Sequence, residues 1–250
     1  MNIIEKYNDV SFKNGKFLSD KSYAYDTVYF TCKFIRDYSE NRNFDLYKHK
    51  TTFNKYIADI FNKNEDNSDI GNYYSEVLCL LEYSKVVYKR QRGIYEIIDL
   101  ETLNYICHKM ENAYIFLYVL SYHTIRNSNL LNKYIEYCET DNEMEKINIL
   151  KELNIKLTEL NPSVGCSPND QWAKQNTEYI LNVLNFYNDQ YRVTRTLLFD
   201  INLGIRNTES ISVNVNGTRT IQEKDNAYLQ NFDYNYVDST LKSIRVKKEI

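Results

Sequence analysis

NYYSEVLCLLEYSKVVYKRQRGIYEIID, residues 72–99, decides how this chain is read. Its first half repeats apolar residues at helical spacing. Val77, Leu78, Leu80 and Leu81 turn inward on a helix of about Tyr73 to Tyr83, and Asn72, Tyr73, Ser75 and Glu76 stay open at its start. The second half changes period: Val86 and Tyr88 alternate with Val87 and Lys89, Gln91 to Gly93 supply a turn, and Tyr95 and Ile97 return. From Ser84 to Tyr95 this hairpin carries Lys85, Lys89, Arg90 and Arg92 and no acid. Cations so crowded repel one another unless an anion lies opposite, and nucleic-acid phosphates are the commonest anion of that extent.

Working upstream, Asp26 is placed to cap a helix from Thr27 to Tyr38, with Val28, Phe30, Phe34 and Ile35 on its inner face. Thr51 and Thr52 are placed to cap a second, short helix with Phe53, Tyr56, Ile57, Ile60 and Phe61 on its apolar side, and a polar connector, Asn62 to Asn72, follows. Three helices and a hairpin is the order of a winged helix. In that module the third helix enters the major groove and the hairpin grips the flanking backbone. Asn72, Tyr73, Ser75 and Glu76 are then the base or sugar contacts, and Lys85, Lys89, Arg90 and Arg92 neutralise phosphates.

Downstream, Asp99 is placed to cap a long helical stretch running through Arg126. Asn127 to Asn129 break it, and helices follow near Leu130 to Glu139 and Glu143 to Leu160. NPSVGCSPND, residues 161–170, holds both prolines and reads as a linker. Beyond it lie an amphipathic helix from Gln171 to Tyr191, a hairpin in which Ile211, Val213 and Val215 alternate around Asn216-Gly217, and a basic tail with Lys242, Arg245, Lys247 and Lys248. The expected fold is mainly α, of α+β type: a winged helix-turn-helix domain over residues 1–100, a helical middle over 101–160, and a C-terminal helix and β-hairpin over 161–250.

A net charge of -3 excludes a uniformly basic nucleic-acid coat, so DNA contact must come from a local patch. The 24 tyrosines and two prolines, with abundant Asn, Lys and Ile, reflect an AT-rich coding genome. Five cysteines without a CxxC pair imply reduced, buried thiols in a cytoplasmic protein. Ala113 to Leu120 is the longest apolar run and is far too short to span a bilayer.

The hairpin segment with its long tyrosine- and leucine-rich helices, and WAKQNTEYILNVLNFYNDQY (Trp172 to Tyr191), resembles the DNA-recognition modules of bacterial type II restriction endonucleases and related restriction-system proteins. The resemblance implies sequence-specific binding of double-stranded DNA as a recognition subunit or domain in a defence or mobile-element system. A separate nuclease subunit or a second copy would be the partner. It transfers no catalytic residue, and binding itself needs no cofactor.

An endonuclease is the first alternative. Its usual site pairs an Asp with (D/E)xK around Mg²⁺, yet no Asp or Glu in the chain is followed two positions later by Lys. Glu223 and Asp225, with Asp200 or Glu209, are the remaining acidic candidates. Gly93-Ile94-Tyr95 and Tyr105-Ile106-Cys107 also resemble the GIY-YIG nucleases, which implies roles for Tyr95, Tyr105, Arg126 and Glu136. Cys107 stands where that family has glycine, and Asp99 begins a helix where it has a strand. His49, His108 and His123 are too dispersed for a zinc site, and core thiol and polar-face histidine are the expected roles of the cysteines and histidines. A helical protein–protein adaptor is the second alternative.

Overall fold

The computed structural model describes residues 2–8, 25–61, 70–160, 181, 183–184, 211–213, 219–221 and 232–244. Helix α1 (Ile3–Lys6) is followed by α2 (Tyr25–Asp37), β1 (Asn43–Asp45), α3 (Leu46–Phe61), α4 (Ile70–Tyr83), β2 (Val87–Gln91) and β3 (Ile94–Ile97). Then come α5 (Leu100–His108), α6 (Met110–Asn127), α7 (Leu131–Glu139), α8 (Glu143–Leu160), the strand pair β4 (Ile211–Val213) and β5 (Arg219–Ile221), and α9 (Tyr234–Leu241). The protein is mainly helical and carries a small antiparallel sheet of order β1-β3-β2.

Phe34 on α2 joins the first elements. Its ring meets Phe44 of β1 edge-on at 6.2 Å and Phe53 of α3 at 5.0 Å, and Phe53 in turn meets Tyr74 of α4 at 4.4 Å. Aromatic pairs in this geometry add about 0.5–1.5 kcal/mol each beyond burial, so the strand and three helices are held as one unit.

Several boundaries differ from the sequence expectation. Helix α2 is already under way at Tyr25, and Asp26 lies buried in its first turn, accepting from the Thr27 N–H at 2.7 Å. Helix α3 starts at Leu46 because Asp45 caps it, accepting from the N–H groups of Tyr47 (2.9 Å) and Lys48 (3.1 Å). Thr51 and Thr52 are therefore exposed mid-helix residues, not caps. The long stretch after Asp99 is two helices, not one. Asp99 does cap α5, but Lys109 is extended and separates α5 from α6. The Asn112 side-chain amide takes the Tyr105 carbonyl at 2.7 Å, the acceptor that the Lys109 N–H would use in an unbroken helix.

The α6 helix is buried from Ala113 to Leu120, with α2, α5, α7 and α9 packed around it. It ends at Asn127, and the chain turns out of it at Asn129, which adopts φ +59° while the Leu130 N–H reaches the Ile125 carbonyl at 3.0 Å. No helix among the described residues is long and apolar enough to cross a membrane. The apolar core is continuous from Ile3 to Leu241, crossing residue 100 without a gap. Strands β4 and β5 pair Ile211 with Ile221 and Val213 with Arg219, and the expected Asn216-Gly217 turn lies outside the described residues. The linker at residues 161–170, and most of the Trp172 to Tyr191 segment, lie outside the described residues. Leu181, Val183 and Leu184 of that segment are buried, and the Tyr114 hydroxyl donates to the Val183 carbonyl.

Candidate nucleic-acid interface

The hairpin begins where α4 stops. Lys85 takes φ +57°, the Val86 N–H reaches back to the Leu81 carbonyl at 2.8 Å, and the Lys85 N–H bonds the Glu82 carbonyl at 3.1 Å. This closing motif normally recruits glycine at the left-handed position. The chain then runs into β2, whose Val87 is buried while Tyr88, Lys89, Arg90 and Gln91 are exposed. Register pairs Tyr88 with Glu96, Lys89 with Tyr95 and Gln91 with Ile94, leaving Arg90 as a bulge residue. Arg92 and Gly93 form the two-residue turn, Gly93 at φ +78°.

That register modifies the expected charge pattern. Arg90 pairs with Glu96 on the neighbouring strand and lies over the Tyr88 ring at 5.4 Å, so it is partly neutralised within the hairpin. Lys85, Lys89 and Arg92 are exposed and form no ion pair among the described residues; Lys89 lies 6.0 Å from the centre of the Tyr95 ring.

The three-residue strand β1 was invisible to periodicity, and it brings α3 to the hairpin tip. Asp45 pairs with Ile94 and Phe44 with Tyr95, and the Leu46 N–H bonds the Gly93 carbonyl at 2.8 Å. Tyr47 closes over Gly93 so tightly that a Cβ there would stand 2.5 Å from Tyr47 Cδ2. From this junction α3 presents Lys48, Thr51, Thr52 and Lys55 on one exposed face, at the i, i+3, i+4, i+7 spacing that stacks side chains along a helix. Lys48 pairs with Glu40 at 2.5 Å; Lys50 and Lys55 are exposed and form no ion pair among the described residues. The sequence signal for this face was Lys48 and Lys55, seven residues apart behind the capping Asp45, and it was masked by the apparent Thr51-Thr52 cap.

Of the α4 candidates, Ser75 is exposed and Glu76 half-buried, while the side chains of Asn72 and Tyr73 lie outside the described residues. Helix α4 contains no Lys or Arg, and Glu76 and Glu82 are its only charges.

The nuclease candidates fare differently. Asp200, Glu209, Glu223 and Asp225 lie outside the described residues. In the GIY-YIG comparison Tyr95 is buried on β3 and its phenol is pushed up to about 12 by burial. Tyr105 sits on helix α5 rather than on a strand, and its phenol is likewise raised by burial. Arg126 donates to the Asn8 carbonyl at 3.0 Å, and Glu136 pairs with Lys133 at 2.9 Å. The four stand on four different elements, β3, α5, α6 and α7.

Cys32, Cys107 and Cys138 are buried thiols, and burial pushes Cys107 up to about 12. His123 is not on a polar face as expected: it is buried, its Nε2 3.0 Å from the Ile4 carbonyl, which calls for the Nε2–H tautomer. Among the described residues no group of three or more His, Cys, Asp or Glu side chains is placed to hold a metal ion. No family model matches this chain, and no curated protein or solved structure matches it at a significant level.

Proposed function

We propose that the protein binds double-stranded DNA through its basic hairpin, as the recognition component of a restriction-type system in the cytoplasm, with cleavage supplied by a partner subunit. The observation that carries this reading is the exposure of Lys85, Lys89 and Arg92, without ion-pair partners among the described residues, on one antiparallel hairpin of a chain with net charge -3. Charges held apart from their own counter-ions in a rigid element are available to an external polyanion, and release of condensed ions from DNA phosphates drives such binding. The order helix, strand, helix, helix, strand, strand, with sheet order β1-β3-β2, supports reading the module as a winged helix.

Titration of fluorescent duplexes across a salt series tests this. Replacing Lys89, Arg90 and Arg92 with Ala should weaken binding and lower the slope of log K against log salt by about 0.9 for each phosphate that the protein no longer neutralises. Glu96→Gln releases Arg90 from its pair and should strengthen binding. Unchanged affinity in the triple variant removes the basis of the proposal.

A further inference from the structure

We infer that duplex DNA lies across the hairpin tip and the open face of α3, not along α4, and that α3 supplies a grip on the phosphate backbone that is independent of sequence. This rests on the DNA-binding reading above and makes its geometry specific. Three observations carry it. First, the tip and the start of α3 are physically joined: the Gly93 carbonyl accepts from the Leu46 N–H and Tyr47 covers Gly93, so Arg92 and the α3 face begin at one junction. Second, the face leading away from that junction carries only groups that bond phosphate oxygens. Thr51 and Thr52 offer hydroxyls, Lys55 an ammonium without an ion pair among the described residues, and Lys48 an ammonium whose exposed partner, Glu40, is itself in solvent. From Leu46 to Ala58 the helix has no acid at all, and Asp59 appears only beyond Lys55.

Third, α4 has the opposite character. Its two charges are the carboxylates of Glu76 and Glu82, and it contributes no cation of its own. A helix laid into a groove is flanked by phosphates on both sides, so a helix bearing only acids is disfavoured there while α3 is drawn in. Lys48 and Lys55 are seven residues apart, about 10 Å along the helix. That span reaches several phosphates of one strand, which follow one another at about 3.4 Å along the duplex axis.

The test uses the full-length chain and duplexes of mixed sequence. Lys48→Ala with Lys55→Ala should lower the salt slope by up to about 1.8, and Thr52→Glu should weaken binding at least tenfold, whereas Ser75→Glu on α4 should change affinity less than twofold. All four positions are exposed, and an unchanged circular dichroism melt shows that each variant is folded. If the hairpin variants weaken binding while the α3 variants do not, or if Ser75→Glu is the damaging change, the inference is overturned and DNA binding by the hairpin stands. If neither hairpin nor α3 variants alter binding, the DNA-binding reading falls and takes this one with it. Loss of affinity for polyglutamate in the α3 variants, with duplex binding intact, would assign the surface to an acidic protein and also overturn the inference.

Discussion

Lys85 occupies a position where glycine would be less strained, and that gives the sharpest test of the helix-to-hairpin junction. Its φ of +57° lies in the left-handed region, fixed by the Val86-to-Leu81 and Lys85-to-Glu82 backbone bonds that close α4. An L-residue there costs about 1–2 kcal/mol. Glycine removes that cost but carries about 0.5–1 kcal/mol of extra unfolded-state entropy. Lys85→Gly should therefore stabilise the protein by about 0.5–1 kcal/mol, a rise of about 1–4 °C in Tm for a chain of this size. Lys85→Ala loses the same charge but keeps the Cβ, so its stability should match the parent. Urea titration separates the two, with the midpoint shifting at constant m value. Both variants lack one exposed hairpin cation, and both should bind duplex with a salt slope reduced by about 0.9. A glycine variant no more stable than the alanine variant would refute the strain argument. A more stable protein that binds DNA less tightly is the expected result. It would also explain why lysine stands at a site that suits glycine: the strain is tolerated because the ammonium is used.

Gly93→Ala should be damaging for two reasons, a φ of +78° and the Tyr47 ring lying where the new Cβ would go. A loss of about 1–2 kcal/mol from the backbone alone is expected, with weaker duplex binding as the tip separates from α3; a variant as stable as the parent in urea would show that the tip is not clamped. Asp99 gives a pH prediction. Burial raises its pKa, but hydrogen bonds from Lys6 and Thr102 outweigh this and hold the carboxyl below its ordinary value. The folded protein thus binds the Asp99 proton less readily than the unfolded chain. Its contribution is present above about pH 4 and is lost as pH falls through the depressed folded value. Asp99→Asn keeps a capping oxygen but not the charge, so the fall in unfolding free energy across the acid range should be shallower than in the parent. Equal slopes in acid would refute the assignment.

How much could be read without coordinates depended on whether the determining interaction was local. The β2–β3 hairpin was legible because its period changes from helical to alternating at Ser84 and its turn contains glycine. That Ala113 to Leu120 is helical was legible, but not that it belongs to a helix of its own beginning at Met110. Strand β1 was not, since three residues cannot display a period and its identity lies in pairing with β3. The start of α3 was misplaced because two consecutive threonines look like a stronger cap than one aspartate inside a polar run. The break at Lys109 has neither glycine nor proline and exists through the reach of the Asn112 side chain to Tyr105. Arg90's pairing with Glu96 likewise depends on a bulge that shifts the strand register. In the site itself, the hairpin cations could be read directly, while the face of α3 beside them required knowing where β1 lies.

A net negative chain can grip a polyanion when its acids are compensated where they stand. On α7 and α8 this is the case: Lys133 bridges Glu136 at 2.9 Å and Glu152 at 2.8 Å, and Lys156 reaches Glu152 at 3.3 Å. Such exposed pairs add little stability, but each one cancels its own field within a few ångströms. At the hairpin tip and along α3 the balance runs the other way. Glu96 and Glu40 answer one cation each, and Lys50, Lys55, Lys85, Lys89 and Arg92 have no ion-pair partner among the described residues. With a screening length of about 8 Å at physiological ionic strength, this local excess governs what approaches the tip, and the net charge of the whole chain does not. If the proposed DNA reading holds, the expected behaviour is weak long-range steering toward DNA and strongly salt-dependent binding once the tip engages.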